Sequence, residues 1–320
     1  MSTVHTCGYR HADDINFEGQ KSASQWEKLA TICVSRSRDA LGRPTGAYSK
    51  IHRDTISDLL RAMLATQGSI GMLLERGSKS PQSVDALALA RLQLEGLFEI
   101  SLLTESSAWV DAFLRDGWKK QFISYLLTKY ETEGLPRFGP NAHVLELSRL
   151  VKFRVVCGVS LAQMHTVEHQ QTGIPMPAGM ATEEIPTFPT PGGVIAMLPP
   201  SSKRRMLERL HMDYVFLCSF AHGLQAANMA KSVYDDRSQE RQLFAEPEVE
   251  KRFQQEVNTY ARSYSFLSIA QSVAELMVLY PTDMELVAAV SDAWHDLTGS
   301  AFFINAVWHL RTKELLGAIS

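Results

Sequence analysis

Residues 86–103 read ALALARLQLEGLFEISLL, and this stretch decides the fold. Apolar side chains occur on nearly every side of a helical projection: Leu87, Leu89, Leu92, Leu94, Leu97, Phe98, Ile100, Leu102 and Leu103. A helix that is greasy all round must be surrounded by other elements, so a central helix is expected from Ser80-Pro81, as cap and first-turn proline, to about Thr104. Its polar exceptions are Arg91, Glu95 and Glu99, at i, i+4 and i+8 on one narrow stripe.

Working outward, the helical period dominates. Ile56, Leu59, Leu60, Met63, Ile70, Leu73 and Leu74 predict a helix from about Lys50 to Arg76, closed by Gly77. Further helices are expected over about Ala108 to Glu131, interrupted at Gly117, and over His143 to Lys152. A short one follows Ser201-Ser202, then one from Met212 to Tyr234 and a long one from Pro247 to Tyr280. A final pair carries Trp294, Phe302, Phe303 and Trp308, read as core. Phe153 to Val159 is rich in β-branched residues, and suits either a short strand or a buried helix end. Residues 173–200 hold seven prolines and four glycines in 28 residues, and an irregular surface loop is expected there. The expected fold is all-α: an irregular multi-helix bundle with a proline-rich loop insertion. Residues 1–20 read as a disordered or extended tail, and 21–320 as a single large helical domain.

Composition narrows the classes of function. The four cysteines, Cys7, Cys33, Cys157 and Cys218, are scattered and form no C-x-x-C pair, which excludes a zinc ribbon and a disulfide-dense secreted scaffold. No run reaches the roughly 18 apolar residues of a membrane span, and the N-terminus carries no signal-like apolar run. A cytoplasmic, membrane-free protein is the expectation. A formal net charge of −3 does not favour RNA as a partner, although RNA stays possible, and a protein partner is plausible. The one basic cluster, Lys203-Arg204-Arg205, reads as a solvated helix start. Phosphate loops, dinucleotide fingerprints and nucleophile elbows are absent, so no organic cofactor is expected.

The residues that might carry chemistry are polar ones on apolar helices. Tyr214, Cys218, His222 and Gln225 form a stripe on the helix from Met212, with Ser219 one turn before His222. Facing that stripe to the one on the central helix would gather Arg91, Glu95, Tyr214, Ser219 and His222 in one buried cluster. Buried charge needs a partner, so the cluster is either an internal register-fixing network or a site. The leading expectation is a helical binding or interaction protein. The alternative is a hydrolase or ribonuclease in which His222 is the general acid or base and Arg91 holds an anion. A minor alternative is a zinc hydrolase through His165-Thr-Val-Glu168-His169, where both histidines would share a helix face as ligands and Glu168 would activate water. Glu208-Arg-Leu-His211 is a lone Glu-x-x-His, short of a di-iron set.

The pattern Arg91-x3-Glu95 followed by Tyr214-x4-Ser219-x2-His222, in ALARLQLEGLFE and MDYVFLCSFAHG, resembles an uncharacterised bacterial family of all-helical domains of unknown function. That resemblance covers two helices and implies a helical bundle with no stated activity. A looser likeness is to HEPN-type helical bundles, whose ribonuclease members use an Arg-x4-6-His motif on one helix. The helices expected here place Arg and His at that spacing in no core position, and Arg91 and His222 could meet only across helices.

Overall fold

The computed structural model describes residues 48–76, 82–131, 142–221 and 246–279, together with positions 28, 31–32, 284–286, 288–292, 311 and 314–315. Among the described residues eight α-helices are bounded, in order: α1 Lys50–Arg76, α2 Gln82–Leu103, α3 Ser107–Glu131, α4 Ala142–Val156, α5 Leu161–Thr172, α6 Pro191–Met197, α7 Ser202–Ala221 and α8 Glu246–Leu276. A 3-10 turn, Met277–Leu279, follows, and no strand occurs among the described residues. The fold is all-α, as the helical period requires. The chain divides into two compact units, one of residues 1–104 with 191–320 and one of residues 105–190.

In the first unit α2 is the central rod. It packs on α1, α6, α7 and α8, and Leu94, Leu97, Phe98, Ile100, Leu102 and Leu103 are completely buried. On α1, Ile56, Leu60, Met63, Ile70 and Leu74 form the buried stripe. Gly96 lies where a Cβ would come within 2.8 Å of Met63 Sδ, so the small residue lets α1 and α2 approach closely. Tyr48 donates its hydroxyl to the carbonyl of Leu103 (2.8 Å), satisfying one of the orphan acceptors at the end of α2.

In the second unit α3 packs on α4 and α5. Trp118 is fully buried, stacks on Phe122 (4.9 Å between centroids) and donates its indole N–H to Leu150 O (2.9 Å). Around this pair gather Tyr125, Leu126, Leu150, Cys157, Val159, Val167 and Ile185. Burial pushes the Cys157 thiol up to about 11, the behaviour of an inert core cysteine.

Three local readings are decided. Helix α3 passes Gly117 without the expected interruption. Of the two readings of the β-branched run 153–159 the helix end holds and the strand does not: α4 continues to Val156 and ends in a glycine-capped turn. Gly158 takes φ 66°, its N–H reaches Val155 O (3.1 Å), and Val159 N–H reaches Arg154 O (3.0 Å). That is the paired hydrogen bonding of a Schellman stop, which a glycine permits and a valine would resist. Third, the proline-rich stretch is irregular only through residue 190. Pro191 sits at the first turn of α6, where its missing N–H costs nothing, and the helix ends before Pro199.

The irregular part is also pinned. Ile185 and Phe188 are buried, Lys119 Nζ donates to Ile185 O (2.9 Å), and Phe188 meets Phe113 edge-on at 5.1 Å. Glu183 N–H donates to Thr166 Oγ1 (2.9 Å). At the start of α5, Ser160 and Gln163 form a reciprocal capping box, each side chain accepting from the other's backbone N–H at 3.0 Å. Ser160 Oγ also donates to Glu183. We expect Ser160→Ala to cost about 1 kcal/mol, since it frees the Gln163 N–H. A shift of the urea midpoint measures it, and an unchanged midpoint would contradict the cap.

Candidate functional site

The polar residues expected to cluster do so in part. Arg91, on α2, points its guanidinium toward α7. Its Nη2 lies 3.1 Å from Glu95 Oε2, its Nη1 is 3.9 Å from Cys218 Sγ, and its Cζ stands 5.9 Å from the centroid of the Tyr214 ring. Tyr214 in turn packs on Phe98 (6.0 Å) and on His211 (6.1 Å). The spacing explains this convergence. Arg91 and Glu95 are one turn apart on α2, and His211, Tyr214 and Cys218 recur at i, i+3 and i+7 on α7.

The electrostatics agree with the geometry. Burial works against the Arg91 charge, but the Cys218 contact, Glu95 and Tyr214 together raise its pKa above the ordinary value. Burial raises the Tyr214 phenol as well, helped by its bond to Cys218 and by the Glu95 charge, with Arg91 opposing. The tyrosine is a neutral hydroxyl at ordinary pH. The arginine Nε is buried and has no hydrogen-bond partner.

The cluster is not sealed. The Arg91 and Glu95 side chains are 21% and 32% exposed, and Leu92 and Val215 beside them are exposed apolar residues. This is a rim rather than an interior. Of the remaining expected members, Ser219 belongs to α7 by its backbone, while its side chain and all of His222 lie outside the described residues. So do the N-terminal tail, the Ser80-Pro81 cap and the terminal aromatic residues Trp294, Phe302, Phe303 and Trp308.

The fully buried charges are elsewhere, and sequence reading missed them. Glu275 on α8 has no exposure at all. Arg311 clasps it with two bonds, Nε to Oε1 at 2.8 Å and Nη2 to Oε2 at 2.7 Å. Lys203 Nζ, on a side chain only 3% exposed, lies 3.1 Å from Glu275 Oε2 and also donates to Ser101 O (3.1 Å) and Thr104 Oγ1 (3.2 Å). Gln271 Nε2 donates to Glu275 Oε1 at 2.8 Å. Burial alone would raise the Glu275 carboxyl, but Lys203, Arg311 and Gln271 outweigh it and hold it at about 2. The expectation of a solvated Lys203-Arg204-Arg205 start is therefore corrected. Arg205 is exposed and Arg204 pairs with Glu208 (2.9 Å), but Lys203 turns inward. A lone glutamate within IAQSVAELM, residues 269–277, was the available signal, the same one that singled out Arg91.

One helix boundary is also corrected. The short helix after Ser202 and the helix from Met212 are one continuous element, α7. Arg204 and Arg205 therefore stand on the same helix as His211, at Arg-x6-His and Arg-x5-His, and Arg204 and His211 (i, i+7) share a face.

The H-x-x-E-H segment is helical, lying within α5. His165 Nδ1 is 3.2 Å from Glu168 Oε2, and His169 Nδ1 is 2.8 Å from Ile174 O. Glu168 is thus occupied with His165. Among the described residues no three His, Cys, Asp or Glu side chains gather as a metal-holding group. Among the described residues no helix is long and apolar enough to cross a membrane. Compared with protein families, curated proteins and solved structures, the chain matches none.

Proposed function

We propose that this chain is a helical interaction protein that takes a protein partner on the rim between α2 and α7. The observation that carries the reading is a partly exposed arginine held in place at the surface: Arg91, fixed by Glu95 and packed toward Tyr214, with their chain neighbours Leu92 and Val215 exposed. Arginine and tyrosine are the residues that most often dominate binding energy at interfaces, and pre-ordered ones lose least entropy on association. The buried Lys203–Glu275–Arg311 network is the scaffold behind them. Glu275 and Lys203 are buried in it and, with Glu314 beside Arg311, its charges are spent on one another, so we assign it no ligand.

The test is a photo-crosslinking amino acid in place of Leu92, with the exposed Arg262 of α8 as the control position. The expected result is a discrete protein adduct at position 92 that position 262 does not give. An adduct pattern identical at the two positions would overturn the reading.

A second reading, a ribonuclease, has one observation in its favour, the single helix that carries Arg204 and His211 on one face near Tyr214. It expects single-stranded RNA to be cut by the wild-type chain and not by His211→Ala or His222→Gln. Absence of cutting by the wild type removes it.

A further inference from the structure

Helix α5 carries two histidines whose ring nitrogens are already sorted by their neighbours. His165 and His169 stand at i and i+4, so they share one face of the helix. His165 Nδ1 lies 3.2 Å from the Glu168 carboxylate, and His169 Nδ1 lies 2.8 Å from the carbonyl of Ile174. Both partners can only accept, so each neutral ring carries its proton on Nδ1 and a bare lone pair on Nε2. No described residue hydrogen-bonds to either Nε2. The His165 side chain is 29% exposed and His169 is exposed, so the pair is open to solvent. The helix beneath it is held at both ends. The Ser160–Gln163 capping box starts it, and Gly173, at φ 72°, closes it with an N–H on His169 O (2.9 Å).

We infer that His165 and His169 hold one divalent transition-metal ion through Nε2, with Glu168 orienting the His165 ring instead of touching the ion. Spacing of i, i+4 is the one at which two helix histidines reach a single ion. Around the helix Glu168 stands roughly 60° to one side of His165 and His169 roughly 40° to the other. The bond to Glu168 therefore leaves the far nitrogen of His165 on the side of His169. A second ring nitrogen donating to a carboxylate or a backbone carbonyl is what metal-ligating histidines almost always show, and both rings show it. His169 also stands in the last turn of α5, at the end of the helix dipole that favours a cation. Two neutral imidazoles suit zinc, copper or nickel, whereas magnesium and calcium take oxygen ligands. No third His, Cys, Asp or Glu gathers with the pair among the described residues, so water fills the remaining coordination positions. Glu168, spent on His165, is not the water-activating glutamate that H-x-x-E-H suggests. The site lies in the second unit and shares no residue with the α2–α7 rim.

Zinc is titrated calorimetrically into the metal-free full chain at neutral pH, in excess magnesium. We expect saturable binding that His165→Ala and His169→Ala each weaken at least tenfold. Glu168→Gln should weaken it about tenfold, the usual effect of removing an orienting partner. His5→Ala, Cys7→Ala and His11→Ala together, which remove the other His/Cys grouping of the sequence, should leave it unchanged. Circular dichroism melts without metal certify the variants as folded. Copper in place of zinc lets pulsed electron paramagnetic resonance count the imidazoles on the ion. The expected count is two in the wild type and one in each single alanine variant. No zinc binding by the wild type, binding that neither alanine variant weakens, or fewer than two imidazoles on wild-type copper overturns the inference.

Discussion

Replacing Glu275 by glutamine is expected to destabilise the first unit by about 3–5 kcal/mol, because it leaves buried Lys203 without its counter-charge and Arg311 with only the Glu314 contact. The glutamine can still accept one hydrogen bond, from Arg311 or from Lys203, but neither loses its charge. Glu95→Gln, on the partly exposed rim, should cost no more than about 1 kcal/mol, the scale of a solvated helix pair. Chemical unfolding of the two variants side by side measures the contrast, and similar losses would show that the Glu275 network is not the scaffold.

The same carboxyl sets an acid limit. Its folded pKa, about 2, lies below the ordinary carboxylate value of the unfolded chain. The stabilisation it confers is therefore fully present above about pH 4.5 and is lost as pH falls from there toward 2, by roughly 3 kcal/mol over the window. In Glu275→Gln this part of the pH dependence should vanish. A variant whose acid profile parallels the wild type would contradict the assignment.

The second large effect belongs to the other unit. Trp118→Ala should cost about 3–5 kcal/mol, since it empties the place of the largest fully buried side chain among the described residues and leaves the Leu150 carbonyl without its donor. Because Trp118 stacks on Phe122 and bonds to α4, the loss should appear as faster hydrogen exchange across α3 and α4. Trp118→Phe, which keeps a ring but not the N–H, should recover most of it. Equal losses in the two variants would show that the ring contributes little.

Much of the fold was legible because the helical period is strong wherever one side of a helix meets a core. The bounds of α1 fall where Lys50 and Arg76 place them, and α2 is central because apolar residues occupy nearly every side of it, with only the Arg91–Leu92–Glu95 rim reaching water. The reading stayed open, or failed, where local composition was overruled by a neighbour. Valines 155 and 156 have strand propensity, but the glycine stop at Gly158 and the packing of Leu150 and Phe153 keep their backbone helical. Lys203 looked solvated because its sequence neighbours are charged. Its partner Glu275 is 72 positions away, and Arg311, which shares that carboxylate, is 108 positions away, and no local pattern reports such a distance. For the site, spacing brought Arg91, Glu95, Tyr214 and Cys218 together. It could not tell a sealed network from a rim, because exposure depends on what every other helix covers.

The claim that the α2–α7 rim is a contact surface and the Glu275 network its support is tested most directly by one paired measurement on Arg91→Ala. The dissociation constant for the partner captured at Leu92 is determined on wild type and variant, with an unfolding curve taken on each. The account predicts that affinity falls at least tenfold, the weight of about 1.4 kcal/mol at an interface anchor, while the unfolding midpoint barely moves. Unchanged affinity, or a midpoint that collapses as far as that of Glu275→Gln, would contradict it.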